Sequence, residues 1–385
     1  RIVSRANNGR LGLDSSFTGY LGSSVSEDGR FVVFLSYATN LVAGDTGDFL
    51  DVFLRDTVSN TTVRVSQTLG AVGANADCET PVISRDGSYV AFASAAGNLV
   101  SGDTDGARDV FVWTRATRAL SLISFDPSAQ AFTFDADSPS ISDDGGYVAF
   151  AAEVDDGFGG SIRDIYVWRR SNNSVQIINF KSPSTFANDW SDSPSISGDG
   201  RYVAYHSWAD NLVSGDGNNS ADIHVFDRNN STTTRVSRST GNQQANRDSL
   251  YPILSGDGNY VAFYSLATNL GLTPTNNVAQ NYLHNRSNGQ LLQVSLDAQG
   301  QPLRATNHVF DVSHDGRFVM LSTDSDQLPP FEGPRVERSF VWDRLTGMQN
   351  VTALNDGGFA ADDVSYYPSI SATGEWIVFC SWANN

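Results

Sequence analysis

A chain of 385 residues with 43 acidic and 25 basic side chains carries a formal net charge of −18 and a pI near 4.5. Phosphate backbones and anionic membrane surfaces therefore repel it at long range, and cations or basic proteins are the favoured partners. Hydrophobic residues at 40% and aromatics at 11% suffice for a packed core, and 34 glycines with abundant Asn, Asp and Ser call for frequent turns, which excludes disorder.

In chain order, Arg1 to Ser4 (RIVS) comes first and matches a strand type that recurs as TTVRVS ending at Ser66 and TTTRVS ending at Ser237. Seven hairpins follow: SEDGRFVVF, SRDGSYVAF, SDDGGYVAF, SGDGRYVAY, SGDGNYVAF, SHDGRFVML and SATGEWIVF. Their turn glycines, from Gly29 to Gly374, are spaced 58, 58, 55, 58, 58 and 58 residues apart, a whole-chain repeat. Each repeat predicts four strands. Strand a runs into a tight glycine turn, and an apolar strand b such as Tyr147 to Ala151 leaves it. Strand c opens at Asp51, Asp109, Asp164 or Asp222, and strand d precedes the next repeat. Runs such as YVAF suit strands buried on both faces, so the sheets stack radially and the ring must close.

The expected fold is a single all-β, seven-bladed β-propeller of four-stranded antiparallel blades. Its blades cover about 23–79, 80–137, 138–192, 193–250, 251–308, 309–366, and 367–385 plus 1–22. The last blade is thus split between the termini, with Arg1 to Ser4 as its fourth strand, although about 22 residues of loop and third strand have no counterpart there. Cys78 and Cys380 fall a blade apart and are expected to be unpaired. No run of 18 apolar residues exists, and a start at Arg1 without initiator Met or secretory signal reads as a processed or excised segment.

The motif S-x-S-x-D-G-x-x-[VI]-[AV]-F, followed by an Asp-[VI]-[FYH]-V strand, resembles the WD-like repeat of the TolB-like β-propeller family over essentially the whole chain. Members of that family commonly have six blades, whereas seven hairpins are present here. The resemblance implies a secreted, periplasmic or cell-surface propeller that binds protein.

The loop between strands b and c holds the candidate metal ligands: Asp45, Asp48 and Asp51 in repeat one, Asp103, Asp105 and Asp109 in repeat two, Asp216, Asn218 and Asp222 in repeat four. Oxygen ligands spaced this way in a tight glycine-containing loop suit a hard cation, so Ca2+ is the candidate cofactor. The competing reading makes them Asx turns that fix the start of strand c. Gln280 and Arg338 replace the last Asp in repeats five and six, which confines any metal role to the other repeats.

A second acidic set precedes each strand a, including Asp77, Asp137, Asp192, Asp248 and Asp363. Propeller geometry puts it on the same face as the b–c loops, and that face is the expected partner-binding surface. Phe34, Phe92, Phe150, Tyr205, Phe263 and Phe379 in strand b, with Phe53, Phe111, Tyr166 and Phe340 in strand c, read as inter-blade core. Trp190, Trp208 and Trp382 lie near loops, where they either pack or stack on a sugar.

Lys181 is the only lysine, and the five histidines form no triad spacing. No nucleophile elbow, zinc-protease or phosphate-loop motif occurs. The sequence therefore reads as a non-enzymatic binding or scaffolding propeller for a protein or peptide, with no nucleic acid and no membrane insertion. A carbohydrate-binding propeller is one alternative. A glycoside hydrolase or polysaccharide lyase with carboxylates at the channel mouth is the other.

Overall fold

The computed structural model describes residues 2–19, 22–103, 105–125, 134–155, 160–182, 184–271, 278–305, 307–328, 337–351 and 363–382. Among these the chain forms six four-stranded antiparallel sheets, each a simple meander in the order a–b–c–d. In blade 2 the strands are Cys78–Ile83, Tyr89–Ser94, Asp109–Thr114 and Ala119–Leu122. The seventh hairpin forms a two-stranded sheet, Ser365–Ile370 with Ile377–Ser381. No helix among the described residues is long and apolar enough to cross a membrane.

The turn between strands a and b is built the same way in the first six hairpins, and Thr373 takes the place of the aspartate in the seventh. A serine hydroxyl, as in Ser84, accepts the N–H of the aromatic that opens strand b, here Tyr89 at 3.0 Å, and donates to the turn aspartate, Asp86, at 2.8 Å. The turn glycine has φ between +62° and +78°, a region costly for any residue with a Cβ. Space makes the same demand. A Cβ on Gly87 would approach the ring of Phe31 in the preceding blade to 2.4 Å, and the relation repeats for Gly145 with Tyr89, Gly200 with Tyr147, Gly258 with Tyr202, Gly316 with Tyr260 and Gly374 with Phe318. Gly29 meets Trp376 in the same way, so the first blade is seated on the last hairpin.

Five of these rings also carry a cation from the blade that supplies the glycine. Arg115, Arg170, Arg228, Arg286 and Arg344, each just after strand c, lie 3.8–4.6 Å over Phe31, Tyr89, Tyr147, Tyr202 and Tyr260 of the preceding blade. Arg115 and Arg228 also donate to the carbonyls of Gly87 and Gly200, at 2.8 and 2.5 Å. Each of these aromatics is thereby held by both a bare turn and a guanidinium of the next sheet.

Within each blade the expected aromatic columns stack across strands b and c: Phe34 on Phe53, Phe92 on Phe111, Phe150 on Tyr166, Tyr205 on His224 and Phe263 on Tyr282, with centroids 5.6–5.8 Å apart. Between blades, Phe92 and Phe111 join a core cluster with Val33, Leu35, Val52 and Leu54 of blade 1. Cys78 and Cys380 are buried and free.

The ends depart from expectation. Ring closure runs through the inner strands: the Ser24 N–H bonds Ser369 Oγ at 2.9 Å, and the Thr18 N–H bonds Cys380 Sγ at 3.0 Å. Ile2 to Ser4 does not join the last sheet, which has two strands, so the split four-stranded seventh blade, expected to take Arg1 to Ser4 as its fourth strand, is not formed among the described residues. The reason is local to the meander. Strand d bonds to strand c, and Ile377–Ser381 has no strand c beside it. The connector after Ser4 nonetheless copies those of other blades: the Gly12 N–H bonds the Ser4 carbonyl at 3.0 Å, as Ala74 does with Ser66 and Leu303 with Ser295. It then docks on blade 1, where the Thr62 N–H bonds Asn7 Oδ1 at 2.6 Å.

Gly200→Ala tests the interlock. Positive φ and the overlap with Tyr147 should together cost about 2–4 kcal/mol of stability, read as a lower denaturant midpoint with unchanged slope.

Candidate functional site

Strand a of every blade faces the central axis, and a β-bulge re-aims its side chains. Thr80, Ser138, Ser193, Tyr251 and Tyr367 have φ between +47° and +54°, each precedes a proline, and the ladder to strand b shifts register there. A non-glycine residue in this region is strained, and proline has no N–H for the ladder, so both stop regular pairing at the channel wall.

The strand position just before the bulge rings the channel mouth: Phe17, Glu79, Asp137, Asp192, Leu250, His308 and Tyr366. Blades 2 to 4 supply carboxylates there, answered by two arginines. Arg108 Nη1 lies 2.8 Å from Asp137, and the buried Arg163 bridges Asp137 to Asp192, with Nε 3.0 Å from the latter. Glu79, Asp137, Arg163 and Asp192, with Trp190 and Tyr251, line a cavity of about 410 Å³.

The other side of the mouth is aromatic. Tyr264 stacks on His308 at 5.4 Å, His308 meets Phe310 at 6.3 Å, Phe310 meets Tyr367 at 5.8 Å, and Tyr367 meets Tyr366 at 4.7 Å. Trp382 Nε1 closes the arc with a 2.7 Å bond to the Tyr366 hydroxyl. His206 lies between Trp208 and Tyr251, and burial pushes its pKa down to about 3, so it is neutral.

Below the mouth the axis narrows to a cavity of about 100 Å³ that shares Gly22, Ser140, Ser195 and Ile253 with the upper one. Hydroxyls tie neighbouring blades here: the Ile196 N–H bonds Ser140 Oγ and the Leu254 N–H bonds Ser195 Oγ, at 3.0 and 2.9 Å. In blade 6 Asp311 takes that position, accepting from the Ser369 hydroxyl and the Ile370 N–H at 2.9 Å each, and burial raises its pKa to about 6. At the far end a hoop of backbone bonds links the turns, from Glu27 to Arg85 to Asp143 to Gly198 to Gly256. Arg85 pairs there with Glu27 and with Asp143 at 3.2 Å, and His314 Nε2 stands 3.3 Å from Asp143.

The sequence-predicted residues divide between tasks. Asp192 and Asp137 line the mouth, while Asp77 and Asp248 accept the N–H groups of Leu50 and Ala221, holding the b–c loops at 2.7 and 2.9 Å. Asp363 accepts its neighbour's N–H, from Val364 at 2.7 Å.

The recurring aspartate of strand c bonds the residue two past the end of strand d: Asp51 with Ser66 and Asp109 with Ser124 at 2.5 Å, Asp222 with Ser237, and Asp164 with Asn179 at 2.6 Å. Burial raises Asp51 and Asp222 to about 6 and Asp109 to about 7. In blade 1 Arg64 Nη1 reaches Asp45 and Asp51 at 3.0 and 3.3 Å; in blade 4 Arg235 reaches Asp216 and Asp222 at 3.1 and 3.2 Å. Asp48 is exposed, and Asn218 donates to the Ala245 carbonyl at 2.7 Å. Among the described residues only Asp103, Asp105 and Asp109 converge as a group of three carboxylates.

Reading the sequence missed the aromatic arc and the bridging Arg163. The signal was present in strand a, where CETPVI, ADSPSI, SDSPSI, SLYPIL, NHVFDV and SYYPSI align and their second and third positions vary from blade to blade.

Asp311 makes a pH test. Its folded pKa lies above the ordinary 3.8, so the folded chain holds the proton more tightly than the unfolded one. Its contribution to stability should therefore rise as pH falls from about 6 towards 4. Asp311→Ser keeps an acceptor, as Ser140 and Ser195 do, and should flatten the pH slope over that window by about 1–3 kcal/mol in thermal unfolding.

No protein-family model and no curated protein sequence matches the chain. Solved structures similar to it include oligogalacturonate lyase from Vibrio parahaemolyticus, 11% identical with a TM-score of 0.57, covering 95% of this chain and 87% of that one. TolB from Acinetobacter baumannii is 15% identical with a TM-score of 0.43, over 76% of this chain. The chain spans 57% of the length of that TolB. A chain of the mitotic checkpoint complex is 10% identical with a TM-score of 0.50, covering 95% and 86%. At these identities the likeness is one of fold. The sheet order, with the likeness to the two structures at TM-scores of 0.50 and above, makes this chain an all-β propeller of antiparallel four-stranded blades.

Proposed function

We propose that the chain is a non-enzymatic, extracytoplasmic binding propeller whose channel mouth receives a loop or terminus of a protein partner. One observation carries this reading: the mouth is split into a carboxylate–arginine half and an aromatic arc above an axis that narrows from about 410 to about 100 Å³. A recess of the larger size accepts a few side chains and stops them. Its acidic half suits a cationic residue, and its arc gives a rigid, amphipathic surface for apolar and aromatic groups. The net charge of −18 draws basic partners towards it.

The catalytic alternative has less support. Asp137 and Asp192 are both engaged by Arg163, and His206 is buried and neutral, so these three do not form a free acid–base pair. The carbohydrate alternative draws on Trp190 and Trp382, exposed at 40% and 61%.

We also read the seventh sector as a whole blade in the working protein, with Arg1 to Ser4 as its outer strand. The connector that follows Ser4 supports this, because its Arg5–Leu11 bridge repeats Gln67–Gly73, Arg238–Gln244 and Leu296–Pro302.

Panning a displayed peptide library tests the mouth. Peptides pairing Arg or Lys with an aromatic should be enriched, and Trp190→Ala with Tyr251→Ala should weaken their binding at least tenfold without changing the melting temperature by more than a few degrees. Enrichment of no peptide, with binding on a glycan array instead, would move the assignment to carbohydrate. Cleavage of a polyuronide that Asp192→Asn abolishes would move it to the lyase.

A further inference from the structure

Blades 1, 2 and 4 share one loop design with one difference. Strand d places a residue directly opposite the third position of strand c: Arg64 opposite Phe53, Leu122 opposite Phe111 and Arg235 opposite His224. In blades 1 and 4 that residue is the arginine whose guanidinium sits between the two loop carboxylates. In blade 2 it is leucine, so the equivalent carboxylates have no counter-charge from this position.

The carboxylates are nevertheless buried. Asp103 is 5% and Asp109 1% exposed, and Oδ1 of Asp103 and Oδ2 of Asp109 are buried without a hydrogen-bond partner. Asp105 joins them from the exposed rim, accepting the Ala107 N–H at 3.0 Å through its own turn. One oxygen from each of the three lies within 4.8 Å of the others. Burying two carboxylates with unsatisfied oxygens is costly unless a cation compensates them.

The geometry points to a divalent-cation site in blade 2, held by Asp103, Asp105 and Asp109, with calcium as the fitting ion. Two oxygens bound to one calcium at about 2.4 Å can be no more than about 4.8 Å apart, so a single ion spans the group. The donors are all hard oxygens with no His or Cys among them, which selects against zinc and copper. The exposed side, at Asp105, leaves room for water to complete a shell of six to eight ligands. The arginine in blades 1 and 4 is the covalent equivalent of that ion, supplying the positive charge from strand d. Because none of these residues lines the channel mouth, the site stands apart from whatever the mouth binds.

The test uses the full chain, stripped with chelator and titrated with CaCl2 by calorimetry and with Tb3+ by luminescence. One Ca2+ should bind per chain, with a dissociation constant of roughly 10⁻⁶ to 10⁻³ M, and chelator should lower the melting temperature. Leu122→Arg, which copies blades 1 and 4, should abolish uptake and make melting insensitive to chelator. Asp105→Asn, at an exposed position that packing does not constrain, should weaken binding at least tenfold and decides the matter if Leu122→Arg fails to fold. No uptake by the unaltered chain at about 10 mM Ca2+, ten times the weakest affinity expected of such modules, would overturn the site. So would uptake that is unchanged in folded Asp105→Asn.

Discussion

The structure depends on one contact repeated around a circle: a turn glycine pressed against the aromatic that opens strand b of the preceding blade. Both partners are constrained. The glycine must adopt positive φ and must lack a Cβ, and the aromatic must be flat enough to lie against it. An arginine from the next blade also lies over the ring in five of the interfaces, adding cation–π attraction to the contact. Because the contact runs from each blade to its neighbour, it sets the angle between sheets, and Trp376 against Gly29 carries it across the junction of head and tail.

With the scaffold positions occupied identically, chemistry is left to those that the interlock does not use. Along strand a these are the rows at the mouth, waist and floor of the channel. Glu79, Asp137 and Asp192 stand where Leu250, His308 and Tyr366 stand on the opposite side, so one row of equivalent positions makes a two-sided recess. The bulge before each proline is what lets these side chains turn to the axis. The same division appears in the b–c loops, where the Asp51, Asp109 and Asp222 carboxylates do a common structural task through Ser66, Ser124 and Ser237. The two readings of those aspartates are therefore compatible: one oxygen locks strand d, and the other faces Arg64, Arg235 or, in blade 2, neither.

Much of the fold was legible because a repeat reports on itself. A position that is always aromatic, such as the Phe34, Phe92 and Phe150 column, must meet the same environment each time, and the structure stacks that column on the next strand's. The candidate site was legible only in part. Asp137 and Asp192 were identified as mouth residues, but Asp77 and Asp248 belong to the loop backbone, since their carboxylates cap N–H groups from the preceding b–c loop. The aromatic arc was hidden because its members, Tyr264, His308, Phe310 and Tyr367, come from three different repeats and meet only around the axis.

The amino-acid sequence by itself determined the repeat, the turn, the strand order within a blade and the closed stacking of sheets, because these follow from local conformational preference and from apolar runs that one sheet cannot bury alone. Tertiary structure decided what sits beside what around the axis and whether a carboxylate has a counter-charge. It also decided the place of Ile2 to Ser4, whose sequence matches a fourth strand but which has no third strand beside it among the described residues. These outcomes turn on residues from 13 to about 58 positions apart, or at opposite ends of the chain, being brought within a few ångströms. Hydrogen bonds and ion pairs act only over such distances, so they exist only once the ring has formed.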